Sequence, residues 1–189
     1  MKYKIDKENL VYEGFLKIKK ATITHDRFHN ENTISYSREM LDKGDCVAVL
    51  LFEKDTQNVL LINQFRYPTT QRDNDGWLVE LPAGGIEKDE DPVTCAIREV
   101  EEETGYRASQ LQLISKFYAT PGVSSERMYL YYAEVTSNDK IAEGGGVKEE
   151  NEDIQLCKYP ISEIDSLLNN SKINDAKTII ALQWFLLHK

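Results

Sequence analysis

The segment from Gly84 to Tyr106, GGIEKDEDPVTCAIREVEEETGY, constrains the fold more than any other part of the chain. Asp91 suits a helix N-cap and Pro92 the first helical position, while Gly105 suits a C-terminal stop. The pattern therefore predicts a glycine-containing loop followed by one helix over residues 92–104.

The predicted helix carries an unusual number of carboxylates. At 100 degrees per residue, Glu99, Glu102 and Glu103 share one face, Glu101 points elsewhere, and Arg98 lies one turn before Glu102. A separate, core-facing arc is expected to hold apolar side chains and one threonine: Val93, Ala96, Ile97, Val100 and Thr104. Like charges at this spacing cost about 0.2–0.5 kcal/mol per pair. The face is either a solvated acidic surface or a site for hard divalent cations, which prefer oxygen ligands.

Strand patterns surround this helix on both sides. Alternating or continuous apolar runs predict strands at 12–24, 33–40, a hairpin within 46–68, 77–81, 111–119, 127–135 and 154–159. Two further helices are expected at 161–169 and 174–188, and the glycine-rich, then acidic, segment 141–153 should be a surface loop. The predicted class is α/β (α+β): a mixed β-sheet sandwiched between helices, with an antiparallel strand layer at the N-terminus.

Composition limits the function classes. A chain of 189 residues with net charge -9 fits one main domain and lacks the basic surface that nucleic acid or anionic membranes require. The three cysteines, Cys46, Cys95 and Cys157, form no CxxC pair, so neither a disulfide framework nor a thiolate zinc site is indicated. Without a leader-like or membrane-length apolar run, the chain is expected to be soluble and cytoplasmic.

The spacing of fixed residues from Gly84 to Tyr106 resembles the Nudix box of the Nudix hydrolases, G-x5-E-x7-R-E-U-x-E-E-x-G-U, with U apolar or aromatic. Glu90, Arg98 and Glu99 occupy three of its fixed positions, and the other fixed positions are filled as well. The resemblance implies a Nudix fold in which the box holds Mg²⁺, or Mn²⁺ as a substitute, against a substrate diphosphate.

By the same resemblance, each charged residue of the box has an expected role. Glu99 and Glu103 are expected to bind metal directly, Glu102 directly or through water, and the carbonyl of Ala83 beside them. Arg98 is expected to orient Glu102 or its neighbours, and Glu90 to support the loop rather than bind metal. Glycine at Gly84 permits close backbone approach to the same ions.

Other stretches resemble one branch of the family. Pro121, in ATPGVSSERMYLYYAE, is similar to a segment of the ADP-ribose pyrophosphatases, although a Pro-Gly turn alone would explain it. The loop GGGVKEENEDI at 144–154 and the segment INDAKTIIAL, which contains Lys177, resemble the GDP-mannose pyrophosphatases. Similarity of this kind extends over about residues 34–185.

The resemblance also assigns substrate-binding residues. Arg66 and Lys177 are expected to bind substrate, together with Glu126, and Arg38 with Glu39 to reach the nucleotide, from a partner subunit if the chain dimerises. The alternative for each is an ordinary surface charge or ion pair.

The acidic loop is expected to supply a catalytic carboxylate, alongside the catalytic roles implied for Glu102 and Arg98. Glu152 is favoured because it directly precedes Asp153 and Ile154. The chain has two extra residues after GGGV, so Glu149, Glu150 or Asp153 remains an alternative. Ala176 also stands where the family usually has glycine, and either departure can alter the sugar preference.

These observations predict a Mg²⁺-dependent pyrophosphatase of nucleoside diphosphate sugars. A GDP-mannose type gives GMP and mannose 1-phosphate, and the alternative, an ADP-ribose type, gives AMP and ribose 5-phosphate. A more remote hypothesis is a sensor domain that binds a nucleotide sugar without cleaving it. Residues 1–42 are expected to form a strand region for dimerisation and substrate contacts, and residues 43–189 the Nudix domain of a homodimer.

Overall fold

The computed structural model describes residues 1–72 and 75–189 of the chain. They form two compact units, Met1–Asp45 with Tyr118–Arg127, and Cys46–Phe117 with Met128–Lys189. The model confirms the predicted class, with a separate N-terminal strand layer and a mixed sheet between helices.

The first unit is built on a three-stranded antiparallel sheet. Its strands are β1 (Tyr3–Glu13), β2 (Lys17–Arg27) and β3 (Asn30–Leu41), in that order across the sheet. The strands expected within 12–24 correspond to the last two residues of β1 and most of β2, and the sequence patterns did not predict the rest of β1.

The second unit is built on a seven-stranded sheet. Its strands are β4 (Asp45–Glu53), β5 (Asn58–Phe65), β6 (Trp77–Glu80), β7 (Ala83–Gly85), β8 (Gln112–Tyr118), β9 (Arg127–Val135) and β10 (Ile154–Pro160). The main path runs β10-β5-β4-β9-β8, with β6 paired to β5 and β7 paired to β4. The short β7 lies where the sequence predicted only a loop.

Three α-helices cover this sheet: α1 (Pro92–Thr104), α2 (Ile164–Asn169) and α3 (Ala176–His188). The bounds of α1 are those predicted. The helix expected at 161–169 begins as a 3-10 turn, Ile161–Glu163, and becomes α-helical only at Ile164.

The side chains of β4 alternate between two apolar cores. Ala48 and Leu50 pack in the core that contains Leu182 of α3, whereas Val47 and Val49 pack in the core on the α1 side. Continuous apolar character along a strand is typical of burial on both faces. The sheet therefore separates the two cores, and α1, the helix that carries the acidic face, packs against one side of it.

None of the helices in the described ranges has the length and apolar character that a bilayer crossing needs. The division into a strand region over 1–42 and a Nudix domain over 43–189 stays a prediction. The compact units follow a related division, but Tyr118–Arg127 belongs to the first of them.

Candidate active site

Both ends of α1 are fixed by residues that the sequence marks. Asp91 Oδ1 accepts hydrogen bonds from the backbone N–H groups of Val93 and Thr94, at 3.0 and 3.2 Å. Gly105 ends the helix in the left-handed region, with φ of 75°, a conformation that favours glycine. These two residues fix the length of α1 and, with it, the positions of its carboxylates.

A second contact fixes the C-terminal end of α1. The N–H groups of Gly145 and Gly146 donate to the carbonyls of Glu103 and Glu102, both at 3.0 Å. A Cβ on Gly105 would lie 2.1 Å from the carbonyl oxygen of Ala142, so side chains are excluded there. The glycine-rich loop thus supplies donors to carbonyls that a helix end leaves unpaired, and it holds the following acidic loop beside α1.

Arg98 connects the carboxylates on the exposed side of α1. Its Nε donates to Glu90 Oε1 at 3.0 Å, and its Nη1 donates to Glu102 Oε2 at 2.9 Å and lies 2.8 Å from Glu99 Oε1. The hydrogen bond from Arg98, with another from the Glu87 backbone, lowers the pKa of Glu90 to about 2. Glu90 thus remains ionised and ties the loop to the helix.

Glu99 lies against the backbone of Gly84. A Cβ on Gly84 would be 2.0 Å from the Glu99 carboxyl carbon, so any larger residue would displace the carboxylate. Burial raises the pKa of Glu99 to about 7, although the charge of Arg98 opposes this shift. The box glycine is required here because a carboxylate occupies the space that its side chain would fill.

Glu103 is the most buried carboxylate of the box, at 2% exposure. Its Oε2 accepts a hydrogen bond from the Ala83 N–H at 2.9 Å. Burial raises its pKa to about 9, and repulsion from Glu99, Glu152 and Glu80 adds to the effect. A buried group surrounded by charges of its own sign is stabilised by a cation.

Among the carboxylates of the acidic loop, Glu152 is the one that interacts electrostatically with Glu99 and Glu103. Its Oε2 accepts from the Val147 N–H at 2.9 Å, and a Cβ on Gly146 would lie 2.6 Å from the same oxygen. Its charge also raises the pKa values of Glu99 and Glu103. The alternatives are more exposed: Glu149 and Glu150 lie in a short 3-10 turn, and Asp153 lies beyond it.

A second charge cluster joins Arg66 and Lys177. Arg66 Nε donates to Glu80 Oε1 at 2.7 Å, and Lys177 Nζ donates to the other oxygen of Glu80. Burial by itself lowers the pKa of Arg66, but Glu80, and then Glu103 and Glu152, raise it overall. Glu80 is 1% exposed, and its two carboxylate oxygens hold the positively charged side chains of Arg66 and Lys177 in place.

The N-terminus of α3 holds Lys177 in this position. Asp175 caps the helix by accepting from the Thr178 N–H at 3.0 Å, and it lies 3.1 Å from Lys177 Nζ. Thr178 Oγ1 in turn accepts from the Leu81 N–H at 3.0 Å. The helix start is therefore bonded directly to the segment that leads into the box.

Three predicted substrate-binding residues belong to the first unit. The Arg38 guanidinium lies 4.3 Å from the centre of the Tyr36 ring, and Glu39 pairs with Lys20 at 3.1 Å. Glu126 accepts from Lys43 Nζ at 2.7 Å. These contacts lie within that unit, and the roles of the three residues in substrate binding stay predictions.

The carboxylate cluster fits a divalent cation. Its donor set is all oxygen, as hard cations require, and Gly84 provides the backbone approach that a side chain would block. In the described ranges no three Asp, Glu, His or Cys side chains are yet arranged as a ligand set. A cation bound among these side chains would offset their mutual repulsion. The residues that can hold it are Glu99, Glu102 and Glu103, with the carbonyl of Ala83.

Sequence reasoning misplaced one side chain of the box helix and missed one residue of this site. Val93 was expected on the core face of α1 but is 43% exposed, whereas Cys95 is fully buried. Glu80 was not foreseen, and its only signal is a lone carboxylate in the apolar strand WLVEL. Glu103 was assigned to the acidic face but also continues the i, i+4, i+7 line of Ala96 and Val100, which explains its burial.

The chain is similar in sequence to several known proteins. The chain is 35% identical to a GDP-mannose pyrophosphatase of Cronobacter sakazakii over 94% of this chain and 91% of that protein. It is 32% identical to one of an Enterobacter species, over 97% and 95%, and 36% identical to one of Yersinia enterocolitica, over 84% and 82%.

A solved structure described as an ADP compounds hydrolase superposes with a TM-score of 0.74 at 21% identity. The match covers 99% of this chain and 92% of the other, and it supports the fold. The sequence model of the NUDIX domain family matches residues 42–182 of this chain. The chain therefore belongs to the Nudix family.

Proposed function

We propose that the chain is a metal-dependent pyrophosphatase of nucleoside diphosphate sugars, of the GDP-mannose type. It cleaves GDP-mannose with one water molecule to GMP and mannose 1-phosphate. The observation that carries this proposal is the pair of mutually repelling carboxylates on the Nudix-box helix, the partly buried Glu99 and the buried Glu103. The substrate is supported by three relatives that bear this activity in their names and align over 82–95% of their lengths.

Nudix hydrolases generally use a divalent metal ion. The proposed ion is Mg²⁺, with Mn²⁺ as a substitute, held by Glu99, Glu102, Glu103 and the carbonyl of Ala83. When bound, the metal neutralises charge on the diphosphate and favours attack by water. Arg98 keeps Glu99 and Glu102 oriented through its contacts at 2.8 and 2.9 Å.

The remaining charges have complementary roles. Arg66 and Lys177, fixed by Glu80, are proposed to bind the diphosphate, since cations held in place pay little ordering entropy on binding. Glu152 is proposed to accept the proton of the attacking water as the P–O–P anhydride bond breaks. The bridging oxygen then leaves with one of the two phosphoryl products.

A substrate panel tests the assignment. Purified protein with Mg²⁺ is incubated with GDP-mannose, ADP-ribose, ADP-glucose and UDP-glucose, and the products are resolved by anion-exchange chromatography. We expect the highest kcat/KM with GDP-mannose. Faster cleavage of ADP-ribose, to AMP and ribose 5-phosphate, would support the alternative suggested by the segment around Pro121. Preference for a nucleoside triphosphate or capped RNA would refute both.

A non-catalytic sensor predicts a different result in the same panel. Such a domain binds the nucleotide sugar but releases no monophosphate, even with Mg²⁺ present. The complete set of box residues and the raised pKa values of Glu99 and Glu103 argue for turnover instead.

The first unit is proposed to mediate a homodimer and to contribute Arg38 and Glu39 to substrate binding. Every residue of β1 is exposed, including the apolar side chains of Tyr3 and Ile5, at 76% and 50%. A second copy of the chain would cover such a surface. Sedimentation over a range of concentrations tests this, and a monomer at every concentration would refute it. A cytoplasmic location and the absence of nucleic-acid partners stay predictions.

A further inference from the structure

Gln64, near the end of β5, carries a buried side-chain oxygen that the fold does not explain. The residue is 8% exposed, and its Oε1 has no hydrogen-bond partner within the part of the chain that the structure describes. Buried polar atoms in folded proteins are nearly always paired. An acceptor without a donor therefore suggests that a ligand supplies the donor.

The strand geometry shows which way this side chain faces. Alternate residues of a strand share one face, so Gln64 lies on the same side as Leu60, which packs in the core beneath α1. Its cross-strand neighbours are Ile154 in β10 and Leu78 in β6. Asn63 Oδ1 is also unpaired, but it lies on the opposite face and that residue is only partly buried.

The neighbours of Gln64 belong to the candidate active site on both sides. A Cβ on Gly146 would lie 3.0 Å from Ile154 Cδ1 and 2.6 Å from Glu152 Oε2, so Ile154 adjoins the loop that carries Glu152. In the other direction Glu80 lies opposite Ile62, two residues before Gln64 on the same face. Gln64 thus lies between the Glu152 loop and the Arg66–Glu80 ion pair.

The chemistry of the substrate restricts what an acceptor can recognise there. Ionised phosphoryl oxygens only accept hydrogen bonds, whereas the hydroxyl groups of the sugar and of the ribose also donate. We infer that Gln64 is a specificity-determining residue whose side-chain oxygen accepts a hydrogen bond from a hydroxyl group adjoining the diphosphate. This inference rests on the proposed function and refines it, since it names the feature of the substrate that the site reads.

The test compares wild type with Gln64→Met, which keeps an unbranched side chain of similar length but removes the amide. Three substrates are used: GDP-mannose, the methyl ester of GDP, which lacks the sugar, and the 2′,3′-dideoxyribose analogue of GDP-mannose. With GDP-mannose we expect kcat/KM to fall at least about 10-fold, mainly through KM, because a site built around a substrate hydroxyl discriminates strongly by it.

The two analogues identify the hydroxyl. If it belongs to the sugar, the variant and wild type will differ less than about threefold on the methyl ester, while the full defect persists on the dideoxy analogue. If it belongs to the ribose, the pattern is reversed. Equal defects on all three substrates would overturn the inference, because Gln64 would then contact the diphosphate or a metal ion common to them.

Stability of the free protein is a second readout. Because Oε1 has no donor before substrate binds, Gln64→Met should not lower Tm, whereas a structural glutamine would. Gln155→Met, an exposed glutamine on the adjacent strand, serves as the matched control and should match wild type in kinetics and Tm. A drop in Tm specific to Gln64→Met, or wild-type kinetics in that variant, would overturn the inference.

A failure of the proposed function gives a different result. In that case wild-type protein itself would hydrolyse none of the nucleotide sugars, whatever the behaviour of the variants. Gln64→Asn adds a further check, since it keeps the amide but withdraws it by one methylene group. We expect it to bind GDP-mannose more weakly than wild type, and wild-type KM in this variant would count against a direct contact.

Discussion

Two glutamates of the second unit are almost equally buried but have opposite electrostatic environments. Glu53 is fully buried and Glu103 is 2% exposed. Glu53 accepts from Lys158 Nζ at 2.7 and 2.8 Å and from the Tyr106 hydroxyl at 2.5 Å, and Thr56 also donates to it. Burial raises the pKa of Glu53, but these partners outweigh it and lower the pKa overall.

Glu103 accepts one hydrogen bond, from the Ala83 N–H. It also interacts with Arg66, but burial and the neighbouring carboxylates raise its pKa to about 9. Burial alone therefore does not distinguish a structural carboxylate from a functional one. The difference lies in whether the protein supplies the compensating positive charge. At Glu53 Lys158 supplies it by direct contact, whereas at Glu103 the metal ion is proposed to supply it.

The largest effect is expected from Glu103→Gln. The amide can still accept from Ala83 N–H, but it removes a metal-binding charge, so kcat should fall by at least about 100-fold. Stability of the metal-free protein should be kept, because a carboxyl group with a pKa of about 9 is largely protonated at neutral pH and the neutral amide resembles it. Enzyme kinetics and thermal melts with and without Mg²⁺ measure both. Wild-type turnover would refute the metal assignment, and a much lower Tm without Mg²⁺ would make Glu103 structural, like Glu53.

Glu80→Gln tests a buried carboxylate that lies between these two extremes. Its charge is compensated by two side chains, Arg66 and Lys177, that are themselves proposed to bind substrate. Without its charge, Arg66 and Lys177 lose their common anchor, and we expect KM for the nucleotide sugar to rise about 10-fold, with a smaller change in kcat. Steady-state kinetics check this against Glu87→Gln, an exposed glutamate nearby in sequence. Unchanged KM would show that Glu80 is not required to position Arg66 and Lys177 for substrate binding.

Glu53→Gln should affect stability rather than activity. It leaves Lys158 without its buried partner, but the lysine side chain is 39% exposed and can reach solvent. We therefore expect a loss of about 1–3 kcal/mol in unfolding free energy, the usual cost of leaving hydrogen-bond donors without their acceptor, with kcat within about threefold of wild type. Urea denaturation measures the loss, with the exposed Glu134→Gln as control. A large loss of turnover in a folded variant would contradict a purely structural role for Glu53.

The pH dependence of this loss follows from the sign of the shift. The folded-state pKa of Glu53 lies below its ordinary value of 4.5. Its stabilising contribution is therefore present above about pH 4.5 and is lost as pH falls through the folded pKa. The stability difference between wild type and Glu53→Gln should shrink in acid. Denaturation curves between about pH 3 and 7 test this, and a constant difference would mean that charge is not its source.

The smallest effect is expected from Glu101→Ala. Glu101 belongs to the same run of glutamates, but its side chain is 42% exposed and lies 3.8 Å from Arg107. Exposed pairs of this kind contribute about 0–1 kcal/mol. Activity and Tm should both stay near wild type, and a tenfold loss of kcat would show that the whole acidic run, rather than one face of it, binds metal.

Much of the second unit was predictable because its signals are local. Asp91, Pro92 and Gly105 mark the ends of α1 in the sequence, and the structure places the helix between them. Apolar runs likewise indicated the buried strands. Strand β1 was missed because all its residues are exposed and its pattern is largely polar, so no burial signal exists to be read.

Two buried carboxylates, one structural and one in the candidate site, carry little local signal. Glu53 reads as the start of a polar turn, yet it is buried because Lys158 and Tyr106, both distant in sequence, contact it. Glu80 bridges Arg66 and Lys177 in the same way. Such roles depend on contacts between distant parts of the chain, which residue spacing does not encode.

The sequence by itself determined the family, the helix that carries the acidic residues, and which of its glutamates share a face, because helix caps and a 3.6-residue period are local properties. Only the tertiary structure decided which buried carboxylates lack a compensating charge and which polar side chain lacks a partner. Those properties arise when strands and loops far apart in the chain meet and exclude water, since burial makes an unpaired charge or acceptor costly.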